Sequence, residues 1–214
     1  MPQSQVILPL PAGQHSFTFN DFTVTIETPP DFDALLDACA RDTPDNVDRI
    51  PYYANLWPSA IGLAHSLCHR ASAIANSTVI ELGCGLGLPS IVAAQYHAAN
   101  VVATDFHPDT QPWLLHNATL NQTTITFTTL DWNTPSPLNN ATFDWIIGSD
   151  LLYESRHIPA LANCITTLAH PATNLLIADP GRDGLAAFTA ALTRHHWHCD
   201  LETFHNIYII TARR

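Results

Sequence analysis

The chain has 214 residues, with 8 basic and 19 acidic side chains for a formal net charge of −11, and 46% of it is hydrophobic. That length suits a single domain with a sizeable core. The acidic balance excludes the broad basic surface that nucleic-acid backbones require, although it would draw a basic protein segment as readily as it serves plain solubility.

All of the basic residues are arginines, a bias with no physical explanation in the sequence. Cys39, Cys68, Cys84, Cys164 and Cys199 are odd in number and widely spaced, without a Cys-x-x-Cys pair. They read as free thiols in a reducing compartment rather than as a disulfide framework or a zinc site. No basic region precedes the short Val6-Ile7-Leu8 run, so no signal peptide is expected. No apolar run approaches a membrane span either. A cytoplasmic monomer with neither nucleic-acid nor membrane partners is the expectation.

Residues 1 to 15 are rich in Pro and Gln and read as irregular. From Ser16 to Thr28 apolar and polar residues alternate on both sides of Asn20-Asp21, which predicts a β-hairpin. Asp31 can cap a short helix running to Arg41, and Thr43-Pro44-Asp45-Asn46 breaks the chain. Residues 1–50 thus form an accessory segment ahead of a core at 51–214. Pro58 suits a first helical position, and Ile61, Ala64, Leu67 and Cys68 continue a helical period to about Arg70.

Strand and helix then alternate. Strands are predicted at 78–82, 100–104, 125–130, 143–148 and 174–178, with helices at 88–97, 108–121, 154–169 and 183–195. Such alternation implies an α/β fold, a parallel sheet with helices on both faces. The last two strands, 198–204 and 206–211, are too close for a crossover and must form a hairpin, making the final strand antiparallel. The His195-His196-Trp197-His198 cluster lies at a helix end, where His complements the dipole, and no carboxylate or Cys is spaced with it as for a metal.

The first strand runs Val79-Ile80-Glu81-Leu82 into Gly83-Cys84-Gly85-Leu86-Gly87 and then a helical pattern. Glycines here permit left-handed backbone and close approach of a ligand. A dinucleotide fingerprint would require Gly-x-Gly-x-x-Gly, but position 88 is Leu and the third glycine comes a residue early. That spacing weakens the reading as an NAD-dependent oxidoreductase. The observed form, Glu-x-Gly-x-Gly-x-Gly, resembles motif I of the class I S-adenosylmethionine-dependent methyltransferases. Glu81 can then face the cationic methionine end of that cofactor.

Other strand ends carry polar residues at matching places. Asp105, followed by Phe106, lies about 20 residues past the glycines, where an acid accepts from ribose hydroxyls; a helix N-cap before Pro108 is the alternative use. Asp131 can accept from an adenine amino group while Trp132 covers apolar surface, though a core Trp after a strand would look the same. Ser149-Asp150-Leu151-Leu152-Tyr153 follows the fourth strand. Asp150 and Tyr153, three residues apart on a helical turn, would point together and orient an attacking amine. In the competing reading Asp150 holds the cofactor's methionine end and Tyr153 only packs.

Taken with Leu56-Trp57-Pro58-Ser59, these motifs resemble the family 16 protein lysine methyltransferases over about residues 50 to 180. The resemblance implies a Rossmann-like class I fold with a seven-stranded sheet, S-adenosylmethionine as cofactor and a protein substrate offering a lysine. It also implies cofactor contacts from Trp57, Gly83, Cys84, Gly85, Gly87, Asp105, Trp132 and Ser149. Asp179-Pro180-Gly181-Arg182 further resembles the branch containing the electron-transfer flavoprotein β-subunit lysine methyltransferase and bacterial nicotinamide methyltransferase-like relatives. A small N-heterocycle therefore stays open as the acceptor, as does a non-catalytic cofactor-binding module.

Overall fold

The computed structural model describes residues 8–42, 47–134, 138 and 141–214, with the backbone alone at Val47. The expected break at Thr43-Pro44-Asp45-Asn46 and the terminal residues 1–7 lie outside the described residues. Strands β1 (Gln14–Phe19) and β2 (Phe22–Glu27) pair antiparallel as a separate two-stranded sheet. Asn20 makes their turn at φ 48°, a left-handed conformation that Asn tolerates better than most residues. Phe19, Val24 and Ile26 are buried in the main core. A short helix, α1 (Phe32–Asp42), follows, with Asp31 Oδ1 accepting from Ala34 N at 2.9 Å.

The main sheet holds β3 (Thr78–Leu82), β4 (Asn100–Asp105), β5 (Thr126–Thr129), β6 (Phe143–Ser149), β7 (Ala169–Asp179), β8 (His198–Phe204) and β9 (Ile207–Arg213). Its order is β5-β4-β3-β6-β7-β9-β8, with β9 antiparallel to both neighbours and the rest parallel. The class I methyltransferase architecture expected from the sequence is therefore present. The helices are α2 (Pro58–Cys68), α3 (Ala71–Ile74), α4 (Leu88–Gln95), α5 (Thr110–Leu120), α6 (Ile158–Thr167) and α7 (Gly184–Arg194). Among the described residues no helix is long and apolar enough to cross a membrane.

Side chains of successive strand residues point to opposite faces. Val79 and Ile147 accordingly pack with residues of α2, α4 and α5, whereas Ile80 and Ile146 pack with α6 and α7. The β1–β2 hairpin sits on the first of these layers. Asn117 of α5 and Asn121 just past its end satisfy its open edge, accepting from Glu27 N at 2.9 Å and Thr25 N at 2.8 Å and donating back to the same residues' carbonyls. An unpaired strand edge is thereby closed by two amides.

One difference from the sequence reading matters for function: α6 begins at Ile158 rather than at residue 154. Asp150 and Tyr153 are consequently not on a helical turn. Asp150 takes φ 59° and donates its N–H to Ala178 O at 2.9 Å, which bends the chain across the end of β7. Leu151 and Leu152 are buried beneath that bend, and Pro159, in the first turn of α6, sets where the helix can start.

Candidate active site

The strand order reverses between β3 and β6, and open α/β sheets bind ligands at such a switch point, beyond the carboxyl ends of the strands. A cleft of about 490 Å³ opens there. Its floor is the glycine turn, where Gly83, Gly85 and Gly87 have φ of 62°, 47° and 83°. Asp105 Oδ2 accepts from Gly85 N at 3.0 Å and Oδ1 from His107 N at 3.0 Å, so one carboxylate ties the turn to the end of β4. Burial raises its pKa above the ordinary range, and the two backbone donors oppose that rise. Asp105 is therefore an anchor of the turn as well as a wall of the cleft; the helix N-cap position of α5 belongs to Asp109.

Glu81 is placed otherwise than the sequence suggested. It does not line the cleft: fully buried, its Oε2 accepts from Ser90 N at 3.0 Å and from the Ser90 hydroxyl, while Oε1 has no partner among the described residues. Burial lifts its pKa to about 8, so at pH 7 it is mostly a neutral acid and not the carboxylate expected to face a cation. The motif residue stitches β3 to α4 instead.

Cys84, Gly83, Gly85 and Gly87 line the cleft beside Asp105 and Phe106. Burial pushes the Cys84 thiol well above its ordinary range, which makes it inert packing. Phe106 is partly exposed under the Arg49 guanidinium, 5.1 Å from the ring centre. Beyond β5, Asp131 and Trp132 form the next wall. Asp131 Oδ1 accepts from both nitrogens of Asn133, and Trp132 meets His157 edge-on at 6.3 Å.

At the other end of the cleft lie Ser149, Asp150 and Tyr153. Leu151 is wedged below them: a Cβ on Gly83 or Gly148 would come within 2.6 Å of its methyl groups. Asp150 Oδ1 sits 2.7 Å from Arg182 Nη2, and both its oxygens are sealed from solvent. Tyr153 is half-exposed, its ring centre 5.7 Å from that of Tyr52, which in turn lies 6.2 Å from Trp57. Trp57 precedes α2 and donates from Nε1 to Tyr52 O at 3.1 Å. Three rings thus rim the mouth.

Several of these residues were not singled out in the sequence. Asp48, Ile50, Tyr52 and Tyr53 come from a segment that reads as loop, and Asp48 reaches Arg156 and His157 across the cleft. The only signal for them was the aromatic Tyr52-Tyr53 pair just before Trp57. Arg182 was visible as part of a Pro-Gly turn, but its destination was not.

The donor set fits S-adenosylmethionine. Each Asp105 oxygen accepts from one backbone N–H, and a carboxylate so placed has acceptor capacity left that would suit ribose hydroxyls. Phe106, Leu130 and Trp132 offer apolar surface to an adenine, and the cleft volume lies within the usual range for small-molecule sites.

Comparison with known proteins agrees. The chain is 31% identical over 135 residues to the electron transfer flavoprotein beta subunit lysine methyltransferase of Danio rerio, covering 62% of this chain and 51% of that protein. It is 34% identical over 143 residues to the calmodulin-lysine N-methyltransferase of Arabidopsis thaliana, covering 62% and 47%. It therefore spans about half the length of the curated relatives it matches. Among solved structures, magnesium protoporphyrin IX methyltransferase from Synechocystis with bound S-adenosylmethionine superposes with a TM-score of 0.62 at 18% identity, covering 86% of this chain and 97% of that one. That likeness establishes the class I S-adenosylmethionine-dependent methyltransferase fold. Residues 51–188 match the lysine methyltransferase family model, and the chain belongs to that family.

Proposed function

We propose that the chain is an S-adenosylmethionine-dependent N-methyltransferase whose acceptor is a lysine side chain of a protein. The observation that carries the acceptor half of this reading is the ring-lined mouth formed by Tyr52, Trp57 and Tyr153. A lysine has a four-carbon apolar stem and an amine at its tip, and aromatic walls suit the stem. The acceptors named for the flavoprotein-subunit and calmodulin methyltransferases, both of them proteins, support the same choice.

When bound, the cofactor supplies a methyl group already activated on a sulfonium, so alignment of a neutral amine is the main task left to the protein. Free lysine titrates near 10.4 and is mostly protonated at neutral pH. Desolvation among the three rings favours its neutral form. Tyr153 is suited to orient that amine: burial pushes its phenol up to about 12, so at pH 7 it is a hydrogen-bonding hydroxyl and not a base. Asp105 holds the ribose end, while Trp132 and Phe106 flank the adenine end.

Labelled S-adenosylmethionine is incubated with the chain, first with whole cell extract and then with its small-molecule fraction. Label recovered on lysine in digested protein is the expected result. Label confined to small molecules overturns the lysine assignment in favour of an N-heterocycle. Calorimetric binding of S-adenosylhomocysteine without any turnover points to a non-catalytic module, and binding of NAD instead points to an oxidoreductase.

A further inference from the structure

The Asp179-Pro180-Gly181-Arg182 turn is the motif that the proposed chemistry leaves unused. Asp179 is fully buried at the end of β7, and its Oδ1 accepts from Gly181 N at 2.8 Å and Arg182 N at 2.7 Å. Its Oδ2 accepts from Arg182 Nη1 at 2.9 Å. The other terminal nitrogen of Arg182 lies 2.7 Å from Asp150 Oδ1. One planar guanidinium thus spans the carboxylates at the ends of two adjacent strands, β6 and β7. Each terminal nitrogen of Arg182 thus faces a carboxylate of the protein itself, which argues for a positioning role.

Asp150 needs such a partner. Its side chain is only 11% exposed, both of its oxygens are shut off from water, and its backbone holds φ 59°. A buried carboxylate with no compensating charge takes up a proton or swings out to solvent. We propose that Arg182 is a positioning residue: by bridging Asp150 and Asp179 it keeps Asp150 ionised and closed, and so fixes the turn at 150–153 that presents Tyr153 to the acceptor. The consequence for Tyr153 rests on its role in the proposed function; the bridge itself does not.

The groups acting on Asp150 come from three elements. Burial raises its pKa; Arg182 is the largest opposing influence, the Ser59 hydroxyl of α2 acts in the same direction as Arg182, and Asp179 raises it further. Removing the guanidinium leaves burial and Asp179 largely unopposed, so the Asp150 midpoint must move up.

The full chain, free of ligand and carrying ¹³C-labelled aspartate carboxyls, is titrated by NMR, with the Asp150 signal identified by its loss in Asp150→Asn. Arg182→Met is expected to raise the Asp150 midpoint by about one pH unit or more, and Arg182→Lys to restore most of the shift. With methyl transfer as a second readout, the acidic limb of the kcat/KM profile moves up in parallel while S-adenosylhomocysteine affinity holds. Should Arg182→Met fail to fold, Arg182→Gln is read by the same titration. An Asp150 midpoint unmoved in the neutral variant overturns the inference. Because that titration requires no turnover, its failure leaves the proposed function standing, and an inactive wild-type chain leaves the bridge standing.

Discussion

On the β3–β4 side of the cleft the shaping contacts are close in sequence, with Gly85 anchored by Asp105, 20 residues further on. On the β6–β7 side they join distant parts of the chain: Asp48 meets Arg156 across 108 residues, and Arg182 reaches back to Asp150 from the turn after the next strand. The first side is governed by backbone conformation, since its glycines sit in left-handed regions that other residues pay to enter. The second is governed by charges brought together only when the sheet is complete. A substitution on the first side should therefore damage shape, and one on the second should alter electrostatics with the shape retained.

Gly87→Ala tests the backbone half most severely. The new Cβ would stand 2.1 Å from Leu114 Cδ1 at φ 83°. A loss of roughly 2–4 kcal/mol in urea unfolding is expected from strain and overpacking together. Wild-type stability in this variant would remove the claim that the turn is rigidly built.

Glu81 sharpens the same half through pH. Its folded pKa of about 8 stands above the unfolded value near 4.5, so the folded chain keeps a proton that the unfolded chain gives up. Stability from this group is greatest below the lower value and declines as pH rises towards the upper one. Between those limits Glu81→Gln should flatten the decline by up to about 1.4 kcal/mol per pH unit. Parallel slopes for the two proteins would mean that Glu81 is ionised in the fold.

A direct contrast between the halves comes from two substitutions measured together. Asp105→Ala is expected to weaken S-adenosylhomocysteine binding about tenfold or more, because it removes both an anchor of the turn and the ribose acceptors. Tyr153→Phe is expected to lower kcat by about tenfold or more, or about 1.4 kcal/mol, with cofactor affinity nearly unchanged. If the Tyr153→Phe loss followed cofactor affinity instead, the two ends of the cleft could not be separated as drawn.

The smallest effect belongs to the cleft-spanning pair. Arg156 is half-exposed where it meets Asp48, and Arg156→Ala should cost less than about 1 kcal/mol of stability, less still at high salt. A larger, salt-independent loss by thermal unfolding would show that the pair closes the cleft rather than decorating its rim.

The readable parts of the sequence share a physical basis. Strand periodicity and spacing located β3 at Thr78–Leu82 without error and the hairpin turn at Asn20-Asp21, because burial on alternating faces leaves a period of two. The turn at 150–153 was misread as helical: Leu151-Leu152 between polar residues matches a helical pattern, and only the hydrogen bond from Asp150 to Ala178 and the packing of Leu151 against Gly83 and Gly148 reveal a bend. Glu81 was misread because a carboxylate looks alike in sequence whether it faces a cleft or a helix start.

By itself, then, the sequence determined the strand-helix alternation, the antiparallel ending, the glycine turn and the acid 20 residues after it, all consequences of local periodicity and short spacing. Tertiary structure alone decided that Glu81 turns inward to Ser90, that Tyr52 and Asp48 reach the cleft, and that Arg182 joins Asp150 to Asp179. The reason is dielectric as well as geometric: burial changes what a charge costs and which partner it must find, and no spacing along the chain records either.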